Sequence, residues 1–261
     1  MKIYKLIDSF VSADLPKDTE NAWLPFQVPE NMGIAPEIQI EWPKSPLLFY
    51  TVEVLRPEYK DHILKYDRSI LFADSTWTKA ALYADTSEAA DSLLILMLYS
   101  YLVTRRTLLM HSSLVDFHGS GIMFLGSSGI GKTTQAELWN QYTGADILNG
   151  DMVFIRERED GFYGYGSPWH GSSPYYRNAK VKLKALVTLE QAPENTLRRL
   201  SGFEVMQEIM NQVFLPHWYP EAMDACLNTL DAVLTQVPIY HLACRPDEGA
   251  VQLLKNELDK I

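Results

Sequence analysis

Gly126-Ser127-Ser128-Gly129-Ile130-Gly131-Lys132-Thr133 directly follows the apolar run IMFL at residues 122–125. The segment matches the phosphate-binding pattern G-x-x-x-x-G-K-[ST] at every fixed position. Glycines let successive backbone N–H groups face one anion, and a following helix adds the positive end of its dipole. Because a strand-like run precedes the motif and a helix-like segment follows it, the sequence predicts a P-loop rather than a glycine turn without a ligand.

Two side chains of this loop carry the predicted chemistry. Lys132 is expected to place a positive charge on the β- and γ-phosphates, and the hydroxyl of Thr133 is expected to ligate Mg²⁺. Thr134 follows directly, so the predicted nucleotide-binding segment is 126–134. The expected cofactors are therefore ATP, or another nucleoside triphosphate, and Mg²⁺.

Two residues outside the loop, one before it and one after it, are further candidates for the active site. Asp151 lies between the strand-like runs DIL and MVFIRE. It could hold the metal or orient an acceptor hydroxyl, but Asn149-Gly150-Asp151 is also a composition typical of a turn. His111 lies on the strand expected to pair with the one that enters the loop. A single histidine on a strand is more often packed than catalytic.

The segment GSPWHGSS at residues 166–173 combines glycines, hydroxyls and a histidine. Such a loop can present polar groups to a substrate, and it can equally be a surface loop. Its candidate substrate residues are Ser167, Trp169, His170 and Ser172.

Strand and helix patterns alternate from residue 110 onward, which indicates an α/β core. Residues 1–85 instead contain short apolar runs such as LLFYTVEVL at 47–55, broken by prolines. We therefore predict a β-rich N-terminal module over 1–85 and a P-loop domain over 86–261. Within the second domain, we expect an apolar helix from residue 86 or 87 to about residue 105. A capping box at Ser201-Gly202-Phe203-Glu204 is expected to open a later helix to about Phe214.

Composition excludes several classes of protein. The net charge of −10 argues against nucleic acid as the main partner. The longest apolar stretch, residues 93–103, is too short to span a bilayer, and residues 1–15 lack the features of a signal peptide. Cys226 and Cys244 are predicted to be buried free thiols, with one disulfide as the alternative. A cytoplasmic location is therefore expected, and a homo-oligomer is left open.

The stretch from His111 to Phe154 resembles the catalytic core of HPr kinase/phosphorylase. The hairpin that enters the loop, and the sequence GKTT at 131–134, are also similar to the phosphoenolpyruvate carboxykinases. The resemblance implies a P-loop core with a mixed sheet and flanking helices. It places His111 on the family's active-site histidine and Asp151 on the second of its paired aspartates. Gly150 stands where the first aspartate is expected, and GSPWHGSS replaces the family's arginine–glycine signature.

The resemblance also implies a function. We expect an ATP- and Mg²⁺-dependent kinase that transfers the γ-phosphate to a hydroxyl, with Asp151, His111 and Lys132 as catalytic residues. The layout looks like that of the shorter HPr-kinase-like proteins encoded beside ribosomally made peptides, which favours a serine of a peptide or protein as acceptor. A small-molecule kinase and a nucleotide-binding module without catalysis are the alternatives.

Overall fold

The structure is a computed structural model, and it describes residues 1–42, 47–49, 52–55 and 57–261. Contacts divide the chain into two compact units, Met1–Tyr101 and Leu102–Ile261. The sequence placed a boundary before the apolar helix, at residue 86, whereas the contacts divide the chain near the end of that helix. Hydrogen bonds tie the helix to the first unit, because Tyr66 donates to Glu88 at 2.9 Å and Tyr101 donates to Glu37 at 2.8 Å.

The first unit is rich in β-strands. Its elements are β1 (Lys2–Leu6), β2 (Ser9–Ala13), α1 (Lys17–Trp23), β3 (Ile38–Glu41), β4 (Leu47–Phe49), β5 (Val52–Val54), β6 (His62–Tyr66), β7 (Ser69–Ala73), β8 (Lys79–Tyr83) and α2 (Ser87–Val103). Six strands form one sheet in the order β1-β2-β3-β8-β7-β6, and β4 pairs with β5. The run LLFYTVEVL thus contains two strands, and its residues 50 and 51 lie outside the described residues.

Helix α2 carries a titratable group that links the stability of the first unit to pH. Burial raises the pKa of Asp91 to about 6, and a hydrogen bond from Thr19 opposes the shift. A carboxyl group whose pKa is raised by folding stabilises the fold below its unfolded pKa, and this contribution is lost as the pH rises through about 6. The charged carboxylate therefore destabilises the first unit at neutral and alkaline pH.

We expect Asp91→Asn to raise the free energy of unfolding of the first unit by up to about 3 kcal/mol above roughly pH 7, and by little below roughly pH 4. Hydrogen exchange of peptides from residues 1–101, measured at both pH values, would report the change. Asp67→Asn is the matched control, since Asp67 is exposed. Equal protection of the Asp91 variant and the wild type at alkaline pH would contradict the assignment.

The second unit has the predicted mixture of strands and helices. Its elements are β9 (Thr107–Phe117), β10 (Ser120–Leu125), α3 (Lys132–Thr143), β11 (Asp146–Asn149), β12 (Met152–Arg158), β13 (Gly161–Tyr165), β14 (Lys180–Gln191), β15 (Thr196–Arg199), α4 (Phe203–Ile209), α5 (Met223–Gln236), β16 (Ile239–Cys244) and α6 (Glu248–Leu258). One eight-stranded mixed sheet has the order β10-β9-β12-β13-β14-β16-β15, and β11 pairs with β9. The prediction of an α/β fold with a mixed sheet is confirmed.

The hairpin that enters the loop forms as predicted. Strands β9 and β10 pair antiparallel, and His118 and Gly119 take φ values of 51° and 84° in the turn. These left-handed conformations suit a tight hairpin turn. Strand β10 also pairs in parallel with β14, which pairs in parallel with β16. The carboxyl ends of these three strands therefore lie at one edge of the sheet, where α/β proteins commonly bind ligands.

The hydrophobic core of this unit positions helix α3. Trp139 is fully buried in a cluster with Phe124, Val187 and Leu254. Trp139 also meets Phe117 edge-on, with ring centroids 5.4 Å apart. Since α3 begins at Lys132, this packing fixes the point at which the glycine loop enters the helix.

The predicted capping box is wrong. Helix α4 begins at Phe203 after Gly202, whose φ of 60° and ψ of −136° are not helical, and no side chain caps it. Glu204 instead accepts a hydrogen bond from Arg198 at 2.8 Å. The helix is also shorter than predicted, because it ends at Ile209 and a 3-10 turn, Met210–Gln212, follows.

Other expectations from composition can be checked directly. Cys226 and Cys244 are both buried thiols that form no disulfide with each other, as predicted. Across the described ranges, we find no helix that combines the length and apolar character needed to cross a membrane. Strand β14 begins with one solvated face, because exposed Lys180 and Lys182 alternate with buried residues.

Candidate active site

The glycine loop joins β10 to α3 through three left-handed backbone positions. Gly126, Gly129 and Gly131 have φ values of 145°, 80° and 117°, and Gly131 is the N-cap of α3. A Cβ atom at Gly129 or Gly131 would meet no other atom within 4 Å. The requirement for glycine there is thus conformational, and the loop backbone borders open space. This is the cradle that a phosphate group needs.

The side chain of Lys132 forms hydrogen bonds to the backbone of this loop. Lys132 is 7% exposed, and Nζ donates to the carbonyl oxygens of Gly126 at 2.9 Å and Ser127 at 3.1 Å. Burial lowers the pKa of Lys132, and the negative charge of Asp151 opposes that shift. The start of α3 is fixed in turn by Ser113, whose buried hydroxyl donates to the carbonyl of Lys132 at 2.8 Å.

His111 and Asp151, which the sequence proposed separately, lie together. His111 Nε2 is 3.1 Å from Asp151 Oδ1, and the two side chains are 29% and 25% exposed. The sheet brings them together, because Met152 is opposite His111 in the β12–β9 register and the N–H of Ser112 donates to the carbonyl of Asp151 at 2.8 Å. An imidazole thus orients a carboxylate that remains partly open to solvent.

Asn149 organises this segment, and the sequence reading did not single it out. Its side chain is fully buried. The Oδ1 atom accepts from the N–H groups of Asp151 at 2.8 Å and Met152 at 3.0 Å. The Nδ2 group donates to the carbonyls of Ser167 at 3.0 Å and Trp169 at 3.2 Å. The only signal in the sequence was Asn-Gly-Asp, since asparagine often bonds to backbone two residues ahead in turns.

The loop at 166–173 divides into a buried part and a part that faces the site. Ser167 is fully buried and its hydroxyl donates to the carbonyl of Met152 at 2.7 Å. Trp169 packs near Phe154, with ring centroids 6.2 Å apart. His170 is stacked on the ring of Tyr176 at 4.2 Å and is hydrogen-bonded through Nδ1 to the carbonyl of Ser173.

One cavity of about 430 Å³ collects most of the candidate residues. It is lined by His111, Ser128, Gly129, Gly131, Lys132, Thr133, Thr134, Glu137, Gly150, Asp151, His170, Ser172, Ser173 and Pro174. Ser167 and Trp169 are not in this lining. Glu137 and Ser173 were missed by the sequence reading. The cavity therefore brings cationic, hydroxyl and carboxylate groups next to the glycine loop.

Gly150 stands where a first aspartate was expected, and its contact with Ser173 explains why this position has no side chain. A Cβ atom built on Gly150 would lie 2.0 Å from Ser173 Oγ and 2.5 Å from Ser173 Cβ. Ser173 is itself buried. Thr133 Oγ1 donates to the Gly150 carbonyl at 3.4 Å, so this close-packed position adjoins the loop. A side chain at residue 150 is excluded unless the 171–174 segment moves.

We expect Gly150→Asp to lower the free energy of unfolding by about 1–3 kcal/mol, because it overpacks a buried contact. Chemical denaturation would measure the loss. The double variant Gly150→Asp with Ser173→Gly removes the clashing atoms and should recover part of the stability. Wild-type stability in the single variant would show that the segment moves aside at no cost.

Comparison with known proteins gives a consistent but distant likeness. No family model matches this chain. Over 154 residues, it is 24% identical to the HPr kinase/phosphorylase of Brevibacillus brevis, an alignment that covers 57% of this chain and 46% of that protein. This chain is thus similar to an HPr kinase/phosphorylase. The resemblance predicted from residues 111–154 is thus confirmed, although the chain spans less than half of the relative's length.

A solved structure gives a weaker match. The HPr(Ser) kinase/phosphatase from Coxiella burnetii is 12% identical to this chain, with a TM-score of 0.34. The match covers 58% of this chain and 91% of the other.

Proposed function

We propose that this chain is an ATP- and Mg²⁺-dependent kinase that transfers the γ-phosphate to a hydroxyl group. The observation that supports it best is the single cavity in which the glycine loop meets the His111–Asp151 pair. Phosphoryl transfer depends chiefly on positioning and on neutralising charge. The cavity offers a cation and backbone N–H groups for the phosphates, and a carboxylate for the acceptor.

The side chains that line the cavity are suited to magnesium nucleotide. The Thr133 hydroxyl and the Asp151 carboxylate are oxygen donors, the type Mg²⁺ prefers when waters and phosphates complete its shell. Thr133 and Asp151 would hold the ion, and when bound it would supply positive charge that offsets the charge developing during transfer. Lys132 would add its charge from the loop side. We assign these roles to residues 126–134 and Asp151.

Asp151 is proposed to receive the proton of the acceptor. His111 engages Oδ1, so Oδ2 is the oxygen that would accept the hydroxyl hydrogen. A Cβ atom at Gly171 would lie 2.6 Å from Oδ2, so a glycine there keeps this oxygen open. As the proton passes to Asp151, the acceptor oxygen forms a bond to the γ-phosphorus. The bond from that phosphorus to the β–γ bridging oxygen breaks, and ADP leaves with the electron pair.

For the acceptor we propose a serine of a peptide or protein. The sequence relative carries the name HPr kinase/phosphorylase, which favours a protein hydroxyl over a small metabolite. His170 and Ser172 line the cavity and are proposed to contact that acceptor. Ser167 and Trp169 would fix the position of this loop through their buried contacts with β12.

Single-turnover incubation with γ-labelled ATP and Mg²⁺ tests this function. Serine-containing peptides and a metabolite extract would be offered in parallel, with EDTA as the matched control. Label on peptide, lost with EDTA, supports the proposal. Label on a metabolite instead would overturn the acceptor class, and tight ATP binding without any transfer would favour a nucleotide-binding module without catalysis.

A further inference from the structure

Asn149 is fully buried and is not among the residues that line the cavity, yet its side chain contacts two segments that do. On one side, Oδ1 accepts from the N–H groups of Asp151 at 2.8 Å and Met152 at 3.0 Å. On the other side, Nδ2 donates to the carbonyls of Ser167 at 3.0 Å and Trp169 at 3.2 Å. Because the donor and acceptor groups of the amide are both paired, its orientation is fixed.

The two segments are joined at two further points. The hydroxyl of Ser167 donates to the carbonyl of Met152 at 2.7 Å. The N–H of Gly150 donates to the carbonyl of Tyr175 at 3.2 Å. Each of these is one hydrogen bond, whereas Asn149 contributes two bonds to each segment through a single planar group. The amide of Asn149 therefore sets the distance between the segments at the point where it lies.

Both segments contribute groups to the proposed reaction. Asp151 lines the cavity from one segment, and His170 and Ser172 line it from the other. The loop backbone also passes beside the proposed base, because a Cβ atom at Gly171 would lie 2.6 Å from Asp151 Oδ2. A displacement of about 1 Å between reacting groups can lower a rate by about 10²-fold. The relative position of these two segments should therefore affect transfer directly.

We propose that Asn149 is a positioning residue that holds the carboxylate of Asp151 and the loop at 166–173 in one geometry for transfer. This inference rests on the proposed function, in which Asp151 receives the proton and His170 and Ser172 contact the acceptor. Asn149 acts through these residues and touches neither the nucleotide nor the acceptor. Removing its amide leaves two N–H groups and two carbonyls without their partner, so both segments lose an anchor together.

The two ends of the amide predict different kinetic effects. Asn149→Ala removes both ends, and we expect the single-turnover rate constant at saturating acceptor to fall by about 10²-fold. Asn149→Asp keeps Oδ1 for the N–H groups but replaces the Nδ2 donor by an oxygen that faces two carbonyls. It should raise the half-saturating acceptor concentration by about tenfold and lower the rate constant less than Asn149→Ala does.

A double-mutant cycle of Asn149→Ala with Asp151→Asn tests the positioning role. The assay uses the whole chain with γ-labelled ATP, Mg²⁺ and a peptide mixture that has one central serine among randomised positions. When Asp151 is already replaced, Asn149→Ala should lower the residual rate constant by less than about threefold, because the group that it positions no longer acts. Affinity for inorganic tripolyphosphate should stay within about twofold in every variant.

Asn140→Ala is the matched control. Asn140 lies on α3 and its Nδ2 also donates to a backbone carbonyl, that of Ala145 at 2.9 Å, but it is not in the cavity lining. It should change neither the rate constant nor the half-saturating acceptor concentration. Thermal unfolding of each variant shows whether it folds. If Asn149→Ala does not fold, Asn149→Asp takes its place, and its half-saturating acceptor concentration must rise.

The outcomes separate this inference from the proposed function. Equal losses from Asn149→Ala with and without Asp151 would show that Asn149 only stabilises the fold, and this overturns the positioning role. So does a rate constant in Asn149→Ala, or a half-saturating concentration in Asn149→Asp, that equals the wild-type value. If the wild type labels no peptide, the proposed acceptor class fails and the positioning role fails with it, while tripolyphosphate binding reports the phosphate site independently.

Discussion

Asp151→Asn is expected to lower the rate of phosphoryl transfer by at least about 10³-fold while leaving the fold intact. Asparagine has the same shape, so it can still accept from His111, which lies 3.1 Å from the carboxylate. It cannot take a proton from the acceptor hydroxyl, and a neutral amide is a poorer ligand for Mg²⁺. The loss should therefore appear in the transfer step.

A single-turnover assay with labelled ATP would measure that step, and binding of tripolyphosphate would report the loop separately. Asp146→Asn is the matched control. Asp146 lies on the neighbouring strand β11 and pairs with Arg177 at 2.6 Å, away from the cavity lining. Normal turnover in Asp151→Asn would contradict the catalytic role. Asp151 would then be only a turn residue, which is the alternative that the sequence Asn-Gly-Asp allows.

The parts of the site that the sequence could predict are those defined by local pattern. A strand, a glycine loop and a helix follow one another within about thirty residues, and each step has its own local requirement. The structure has this order as β10, residues 126–131 and α3. To predict that His111 lies next to Asp151, the pairing of β9 with β12 would also have to be known. The sequence offered both residues but could not fix that register.

The parts that the sequence missed depend on contacts between distant segments. Asn149 holds Ser167 and Trp169, and Ser173 fills the space beside Gly150. Nothing local distinguishes these residues from ordinary turn and loop residues. The prediction of a capping box was wrong for a related reason. The Glu204 side chain accepts a hydrogen bond from Arg198 and does not cap the helix. Local preferences are weak enough for one such contact to override them.

Gly150 also changes how a missing aspartate should be understood. From the resemblance alone, its absence weakens the case for catalysis. In the structure, Ser173 occupies the space that a side chain at residue 150 would need, and Thr133 donates to the Gly150 carbonyl at 3.4 Å. The place expected for a second aspartate is thus closely packed, and the carboxylates in the cavity lining are Asp151 and Glu137. We propose that Asp151 both contacts the metal and receives the proton.

Lys132→Ala is expected to weaken binding of ATP or tripolyphosphate by about 10²-fold or more and to abolish transfer with it. Two contributions are lost together. The ammonium group is the cation nearest the loop, since Nζ donates to the carbonyls of Gly126 and Ser127 at 2.9 and 3.1 Å. Those hydrogen bonds also shape the cradle. Removing them leaves two loop carbonyl oxygens without the donor they have in the wild type.

Lys132→Met separates the loss of the ammonium group, with its charge and hydrogen bonds, from the loss of side-chain packing, because methionine keeps the length of the side chain. If the ammonium group dominates, both variants should lose affinity equally, and calorimetry with tripolyphosphate would show it. Lys260→Ala is the control, since Lys260 is exposed and pairs with Glu257 on the surface. Thermal unfolding must stay near wild type for the comparison to stand. Undiminished binding and transfer in Lys132→Ala would remove the glycine loop from the mechanism, because no arrangement of the remaining N–H groups replaces a buried cation at that position.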